Sequence, residues 1–219
     1  ELEPSSEPVV KQARIEPVAE SFDHAQEALF SAIQAGDRGA VERLLDQYPQ
    51  LRDAMRAGDK GETPLCCAAR LGQRDIVSML LQSGAQVDAR SRINITPLAY
   101  AASTGKIDVI KTLGLAGADP NVLVTPHNTP ALFAAIQGNQ LEALKYLASM
   151  GADLVVRDWT GRGILMHAAE YNRPEMVHWL LEKDVSIDEP DNVQCTALMR
   201  ACFGGHLEVV KLLLERGAS

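Results

Sequence analysis

Residues 63–84 read TPLCCAARLGQRDIVSMLLQSG, from Thr63 to Gly84. Thr63 suits the N-cap of a helix and Pro64 its first turn, where a missing N–H costs nothing. Gly72 and Gly84 each supply a residue able to take the left-handed conformation that ends a helix. Between them Ile76, Val77, Leu80 and Leu81 fall on one helical face. Ala68 and Ala69 keep the first segment thin enough for a neighbour to lie close. The stretch therefore predicts two short helices joined by a glycine turn. Such a hairpin cannot bury both its faces alone, so it needs copies stacked on either side.

The copies are there. Thr63-Pro64-Leu65 is followed 33 residues later by Thr96-Pro97-Leu98, and 33 later again by Thr129-Pro130-Ala131. After a spacing of 34, with the extra residue near Asn139-Gln140, comes Leu165-Met166-His167-Ala168-Ala169 in register with Leu65 onward. A further 33 brings Thr196-Ala197-Leu198 through Cys202. Second-helix ends recur as well, at Leu80–Ala85, Leu147–Ala152 and Leu213–Ala218.

Upstream, residues 22–60 carry a worn copy without Thr-Pro. Ala28, Leu29, Ala32 and Ile33 share one face, Gly36 interrupts, and Val41, Leu44 and Leu45 form the next. An end unit has this look because one of its faces meets water. Residues 1–21 differ: Glu-Pro occurs at Glu3-Pro4, Glu7-Pro8 and Glu16-Pro17 with few large apolar groups between. Each Pro pushes the preceding Glu toward extended conformations, so this segment reads as a tail or linker.

Composition narrows the function. The formal net charge is −8 with 46% hydrophobic residues and 5% aromatics over 219 residues. No Lys/Arg run or basic stripe occurs, which argues against nucleic acid and against an anionic membrane surface as partners. No apolar run approaches the ~18 residues of a bilayer span, and no signal peptide opens the chain. Cys66, Cys67, Cys195 and Cys202 match no zinc or redox spacing, so they read as small buried hydrophobes in a reducing, intracellular compartment, cytoplasmic or nuclear. Glu1 is not an initiating Met, and LEVVKLLLERGA at the end lacks a polar outer face. Both features point to a parent protein that continues.

Period 33 with T-P-L-x-x-A-A, followed by G-x-x-x-V-V-x-x-L-L-x-x-G-A, resembles the ankyrin repeat over about residues 24–219. The resemblance implies an all-α solenoid of helix-turn-helix units with short β-hairpin fingers. Its units would be a degenerate capping repeat at 22–60, repeats at 61–93, 94–126 and 127–160, a degenerate repeat at 161–193, and a truncated one at 194–219. It also implies a concave groove, made of fingertips and first helices, in which family members bind other proteins. Some positions depart from the pattern. Gly163-Ile164 replaces Thr-Pro, Asn172 and Asp184 replace glycines, and Gly114 stands where Leu is usual. Missing caps, strain and lost core volume should make residues 95–190 the softer middle of the stack.

No catalytic motif occurs: no P-loop, nucleophile elbow, dinucleotide fingerprint or H-E-x-x-H. His24, His127, His167, His178 and His206 are scattered through different units; the post-glycine His206 resembles the family's structural histidine. His167 shares a turn with Glu170, an acid–base pair without a nucleophile or metal partner. The expectation is therefore no enzyme and no cofactor in this chain.

The candidate partner-binding residues come from position. By the resemblance, Tyr100, Phe133, His167 and Arg200 are successive equivalents on first helices, facing the groove. Gln137, Tyr171 and Phe203 lie toward the far ends of those helices, and Trp159 on a finger. Aromatics and Arg bury large area at low entropic cost in interfaces. Among charges, Arg70, Arg90 and Arg92 lie toward the N-terminal units. Glu170, Glu189 and Asp191 lie toward the C-terminal ones, interrupted by Arg157, Arg162 and Arg200. Taken singly these are solvated finger residues; as a set they fit a partner with an acidic end near Arg90 and Arg92 and an apolar centre near Phe133 and Trp159. The expected role is a scaffold or adaptor module that binds a protein or extended peptide. Two rivals stand beside it: the substrate-targeting segment of a larger enzyme, and a stoichiometric inhibitor. The tail, reaching about 65 Å if extended, could also occupy the groove through Val9, Val10, Ile15 and Val18.

Overall fold

A computed structural model describes residues 18–58, 61–124 and 129–219, with side chains from Phe22 onward. Residues 1–17, most of the expected tail, and His127 lie outside the described residues, so the tail's place in a groove does too. The described chain is a row of six helical hairpins: α1 (Val18–Ala35) with α2 (Arg38–Gln47), α3 (Pro64–Leu71) with α4 (Arg74–Gln82), α5 (Pro97–Ser103) with α6 (Ile107–Leu115), α7 (Ala131–Gln137) with α8 (Leu141–Ser149), α9 (Ile164–Glu170) with α10 (Pro174–Leu181), and α11 (Ala197–Phe203) with α12 (Leu207–Glu215). First helices pack on first helices down the row and second helices form a parallel layer behind them. Helix α1 begins at Val18, four residues before the sequence-based start at Phe22.

Local chemistry makes each hairpin. Thr63 Oγ1 accepts from Cys66 N at 3.2 Å and Thr96 Oγ1 from Ala99 N at 3.2 Å, so both are working N-caps. Gly72 takes φ 80°, letting its N–H and that of Gln73 close the C-terminus of α3 on Ala69 and Ala68 carbonyls. The expected apolar face is realised, with Ile76, Val77 and Leu80 at 2% exposure or less and Leu81 half-buried. At Thr129 the pattern fails: α7 starts one residue late, and Thr129 pairs through its backbone with Val124 instead.

A continuous core runs the length of the row, from Leu29, Phe30 and Ile33 to Val209 and Leu213. In the worn first unit Ala28 is exposed, and Ala25 and Phe30 complete the buried face. The polar link after Tyr48 contains a 3-10 helix, Pro49–Asp53, that buries Leu51 fully. At Gly114 the expected loss of core volume does not occur, because a side chain there would collide with Met150, whose Cε lies 2.8 Å from the position a Cβ would take. The flexible thioether has filled the gap.

The fingers between units are tight turns without strands: among the described residues only the single bridges Val124–Thr129 and Arg157–Gly163 form. Three are closed across the base by a backbone bond, Ser91 N to Ile95 O, Asp158 N to Arg162 O, and Asp191 N to Cys195 O, at 2.9–3.0 Å, and Val124 and Thr129 exchange two. Neighbouring fingers are tied edge to edge by Arg92 N to Gly61 O and Asn192 N to Thr160 O. No helix among the described residues is long and apolar enough to cross a membrane.

Candidate functional site on the fingers and first helices

The face formed by fingers and first helices is organised by acids at the finger bases. Glu62 holds Arg70 in a two-pronged pair, Nε to Oε1 at 2.8 Å and a terminal nitrogen to Oε2 at 2.9 Å. Asp191 accepts from Arg200 at 2.5 Å and from the Val193 and Cys195 amides. Asp158 is the hub. It accepts from the Thr160 amide and hydroxyl, the Arg162 amide and guanidinium, and His167 Nε2 at 2.9 Å. Arg162 then reaches on to Glu170 at 2.9 Å. The Glu62–Arg70, Arg162–Glu170, Asp158–His167 and Asp191–Arg200 pairs repeat at a separation of eight or nine residues, the distance from a finger base to one turn inside the next helix.

Electrostatics follow from this wiring. Burial works against a charged Asp158, yet hydrogen bonds from Thr160, Arg162 and His167 outweigh it and hold the carboxyl well below the usual range. Asp191 is likewise lowered by Arg200 and the two amides against its burial. Burial pulls His167 down more than Asp158 raises it. Because Asp158 is ionised, His167 Nε2 carries the hydrogen, which leaves Nδ1 a buried acceptor without a partner. The ring is wedged edge-on to Phe133 at 4.7 Å and stacked on Tyr171 at 6.1 Å.

This geometry does not support acid–base catalysis. The outer nitrogen of the Asp158–His167 pair is enclosed, and the nearby Thr160 hydroxyl is committed to Asp158 and not to the imidazole. Among the described residues no three His, Cys, Asp or Glu side chains converge as a metal site requires. Burial pushes the Cys66 thiol up to about 11, so it is an inert core group, as is Cys67. Cys202, expected inside, is exposed on α11, and Cys195 is partly exposed.

The thirteen expected contact residues separate into three groups. Tyr100, Phe133 and His167 are buried at 7%, 1% and 2% exposure, which corrects their assignment to the partner-facing surface. At that helix position the side chain turns under the finger base and packs there; burial also drives the Tyr100 hydroxyl up to about 12. Arg70, Arg162, Glu170 and Arg200 are partly exposed and fixed in the ion pairs above. Arg90, Arg92, Gln137, Trp159, Tyr171 and Phe203 are exposed. Arg90 and Arg92 are pinned to their fingers, on Asn94 Oδ1 at 2.8 Å and Gly58 O at 2.6 Å. Phe203 stands apart on the open end of the last unit beside Met199.

Sequence reasoning missed Asp158 and Val193, and treated Asp191 as a solvated charge although it is 3% exposed. The recurring eight- and nine-residue separation between opposite charges is the signal that exposes the acids. Val193 is 71% exposed on its finger directly beside Trp159 and Asn192, with an open cleft of about 390 Å³ between them.

Comparison with known proteins agrees with the architecture. The family model described as ankyrin repeats (3 copies) matches residues 6–91, 90–158 and 156–219. In Caenorhabditis elegans, a transient receptor potential cation channel subfamily A member 1 homolog is 28% identical over 188 residues, covering 86% of this chain and 12% of that protein. The ankyrin repeat and KH domain-containing protein mask-1 of the same organism is 28% identical over 186 residues, covering 85% of this chain and 6% of its own length. The chain thus spans only a small part of either relative.

Proposed function

The chain belongs to the ankyrin-repeat family, generally protein-interaction modules and typically non-catalytic, and from that premise we propose that its finger-and-first-helix face binds a partner protein or extended peptide. The observation that carries this reading is an exposed aromatic on a rigid mount. Trp159 is 65% exposed, yet its finger is held by the five-donor Asp158 hub below and by Asn192 at the side, through Nδ2 to Trp159 O at 3.4 Å. An aromatic carried on a backbone already fixed in place leaves little chain entropy to lose on binding, which favours an anchor role. Tyr171, 40% exposed and stacked on His167, adds a second aromatic on the same face. We place the module inside the cell, as a scaffold or adaptor segment; all four cysteines are free thiols.

The test is capture from cell extract on the immobilised chain, in parallel with the Trp159→Ala, Tyr171→Ala double variant. Both side chains are exposed, so the variant should keep its helical circular dichroism and melting temperature. A protein retained by the parent chain and lost from the variant is the expected result. Equal retention of every captured protein by the two would remove this face as the binding surface.

A further inference from the structure

The ion pairs of this face share one orientation. The side chains of Glu62, Asp158 and Asp191 are 6%, 0% and 1% exposed, whereas those of their partners Arg70, Arg162 and Arg200 are 33%, 17% and 25% exposed. Each carboxylate lies behind and each guanidinium in front. Lysine is missing from this face. Among the described residues, Lys106, Lys111, Lys145, Lys183 and Lys211 all sit on second helices or at their ends, beside Arg38, Arg43, Arg74, Arg173 and Arg216, while fingers and first helices carry arginine only. In a chain of net charge −8, the described cations of this face are thus all planar, hydrogen-bonding ones. Solubility alone does not require that, since lysine serves it equally well.

Two of these guanidiniums, Arg162 and Arg200, line the cleft of about 390 Å³ whose other walls are Trp159, Thr160, Asp191, Asn192 and Val193, Asp191 being the buried carboxylate already paired with Arg200. Each guanidinium has five N–H donors in a fixed fork, more than Asp191 engages on Arg200. The rim is apolar, with Trp159 65% and Val193 71% exposed. We propose, on the basis of the protein-recognition role above, that this cleft receives an extended acidic segment of a partner protein. An apolar side chain enters between Trp159 and Val193, and flanking carboxylates pair with Arg162 and Arg200. Neighbouring packed helices lie about 8–10 Å apart, and a chain in the extended polyproline II conformation advances about 3.1 Å per residue with three residues per turn, so that positions i and i+3 share a face. Two carboxylates three positions apart therefore span the two first helices that flank the cleft.

The proposal deepens the acidic-partner expectation and relocates it, from Arg90 and Arg92 to the C-terminal fingers where apolar surface and guanidinium coincide. A basic segment would meet guanidiniums first, with the carboxylates shielded behind them. A purely apolar one would leave unused the guanidinium N–H donors that Asp158, Glu170 and Asp191 do not engage.

The test is an amide NMR titration of the ¹⁵N-labelled chain with three synthetic peptides at up to millimolar concentration. The probe is GSGSELSEGSGS, and its analogues carry Gln or Lys in place of both Glu residues. The Glu peptide should shift resonances of residues 157–163 and 190–200, including the Trp159 indole. The Gln peptide should bind about 10-fold or more weakly, a change equivalent to one strong side-chain contact, and the Lys peptide should leave the cleft unshifted. Trp159→Ala, and Arg200→Lys, which keeps the charge and removes the fork, should each weaken the Glu peptide about 10-fold. Equal binding of Glu and Gln peptides at the cleft overturns the acidic assignment while leaving the recognition face intact. Absence of cleft shifts with every peptide overturns the proposal, and the capture experiment then decides the broader role independently.

Discussion

At the scale of single residues, the most informative group is His167. Its equivalents along the row are Tyr100, Phe133 and Arg200, so one structural position accepts a phenol, a benzyl, an imidazole and a guanidinium. What they share is a place under the finger base; what differs is whether the base offers an acid. Asp158 and Asp191 do, and there the position holds His167 and Arg200. Val124 occupies the matching place below Phe133. The buried pair carries a pH signature. His167 is lowered below its ordinary 6.5, so acidification protonates the unfolded chain first and stability falls as pH drops from about 6.5 toward the folded value. Asp158 and Asp191 are lowered below 3.8, so their contribution is complete above that pH and is lost as pH falls through their folded values. The urea midpoint should therefore decline in two stages, one beginning near pH 6.5 and one below about 3.8. His167→Gln, which cannot take up that proton, should remove the first stage and leave the second. A midpoint independent of pH between 7 and 5 in the parent chain would contradict the enclosed imidazole.

At the scale of elements, the caps show how local chemistry was readable and where it stopped. Thr63 and Thr96 act as their side chains dictate, and Gly163, without one, leaves α9 uncapped. Its backbone is nonetheless ready: φ −80° and ψ 172° lie close to the −76° and 160° of Thr63, and a Cβ there would meet nothing within 4 Å. Gly163→Thr should supply the missing acceptor for the Met166 amide and stabilise the chain by about 0.5–1 kcal/mol, a few tenths from the cap and the rest from a less flexible unfolded chain. The readout is the shift in urea midpoint at constant slope; no gain would mean that α9 satisfies its first turn in some other way. The same local logic located the strained positions, since Asn172 and Asp184 do adopt φ of 54° and 56° where glycines were expected. It failed at Gly114, because the residue that fills the gap, Met150, belongs to the next unit. It failed again at Phe133 and Tyr100, whose burial depends on which way a finger folds over a helix. Repeat register, caps and apolar faces are short-range properties and were legible. Contacts between a finger base and the following helix join separate elements, and only the coordinates pair Asp158 with His167.

At the scale of the whole molecule, each unit touches only its neighbours, so stability is a chain of interfaces and the weakest one sets where it parts. The interface expected to part first is the junction between the α7–α8 and α9–α10 hairpins, where front-row and back-row helices pack least extensively on each other. The extra residue near Asn139, at φ 58°, lies in the same unit. What bridges the junction is specific: the Phe133–His167 edge contact, and Arg173 donating to the Ile136 and Gln137 carbonyls at 3.4 and 3.3 Å. The preceding junction is the reverse case, with Gly138 pressed so closely on the Ser103 carbonyl that no side chain fits between them. We therefore expect the softness of residues 95–190 to concentrate on the C-terminal side of that stretch. Leu180→Ala, deleting a fully buried side chain beyond the junction, should cost about 2–5 kcal/mol. That loss should appear in amide exchange as faster opening of residues 161–219, with residues 61–124 keeping their protection. Equal loss of protection in every unit would show that the row unfolds as one cooperative body, and that the loose junction transmits as much energy as the tight one beside it.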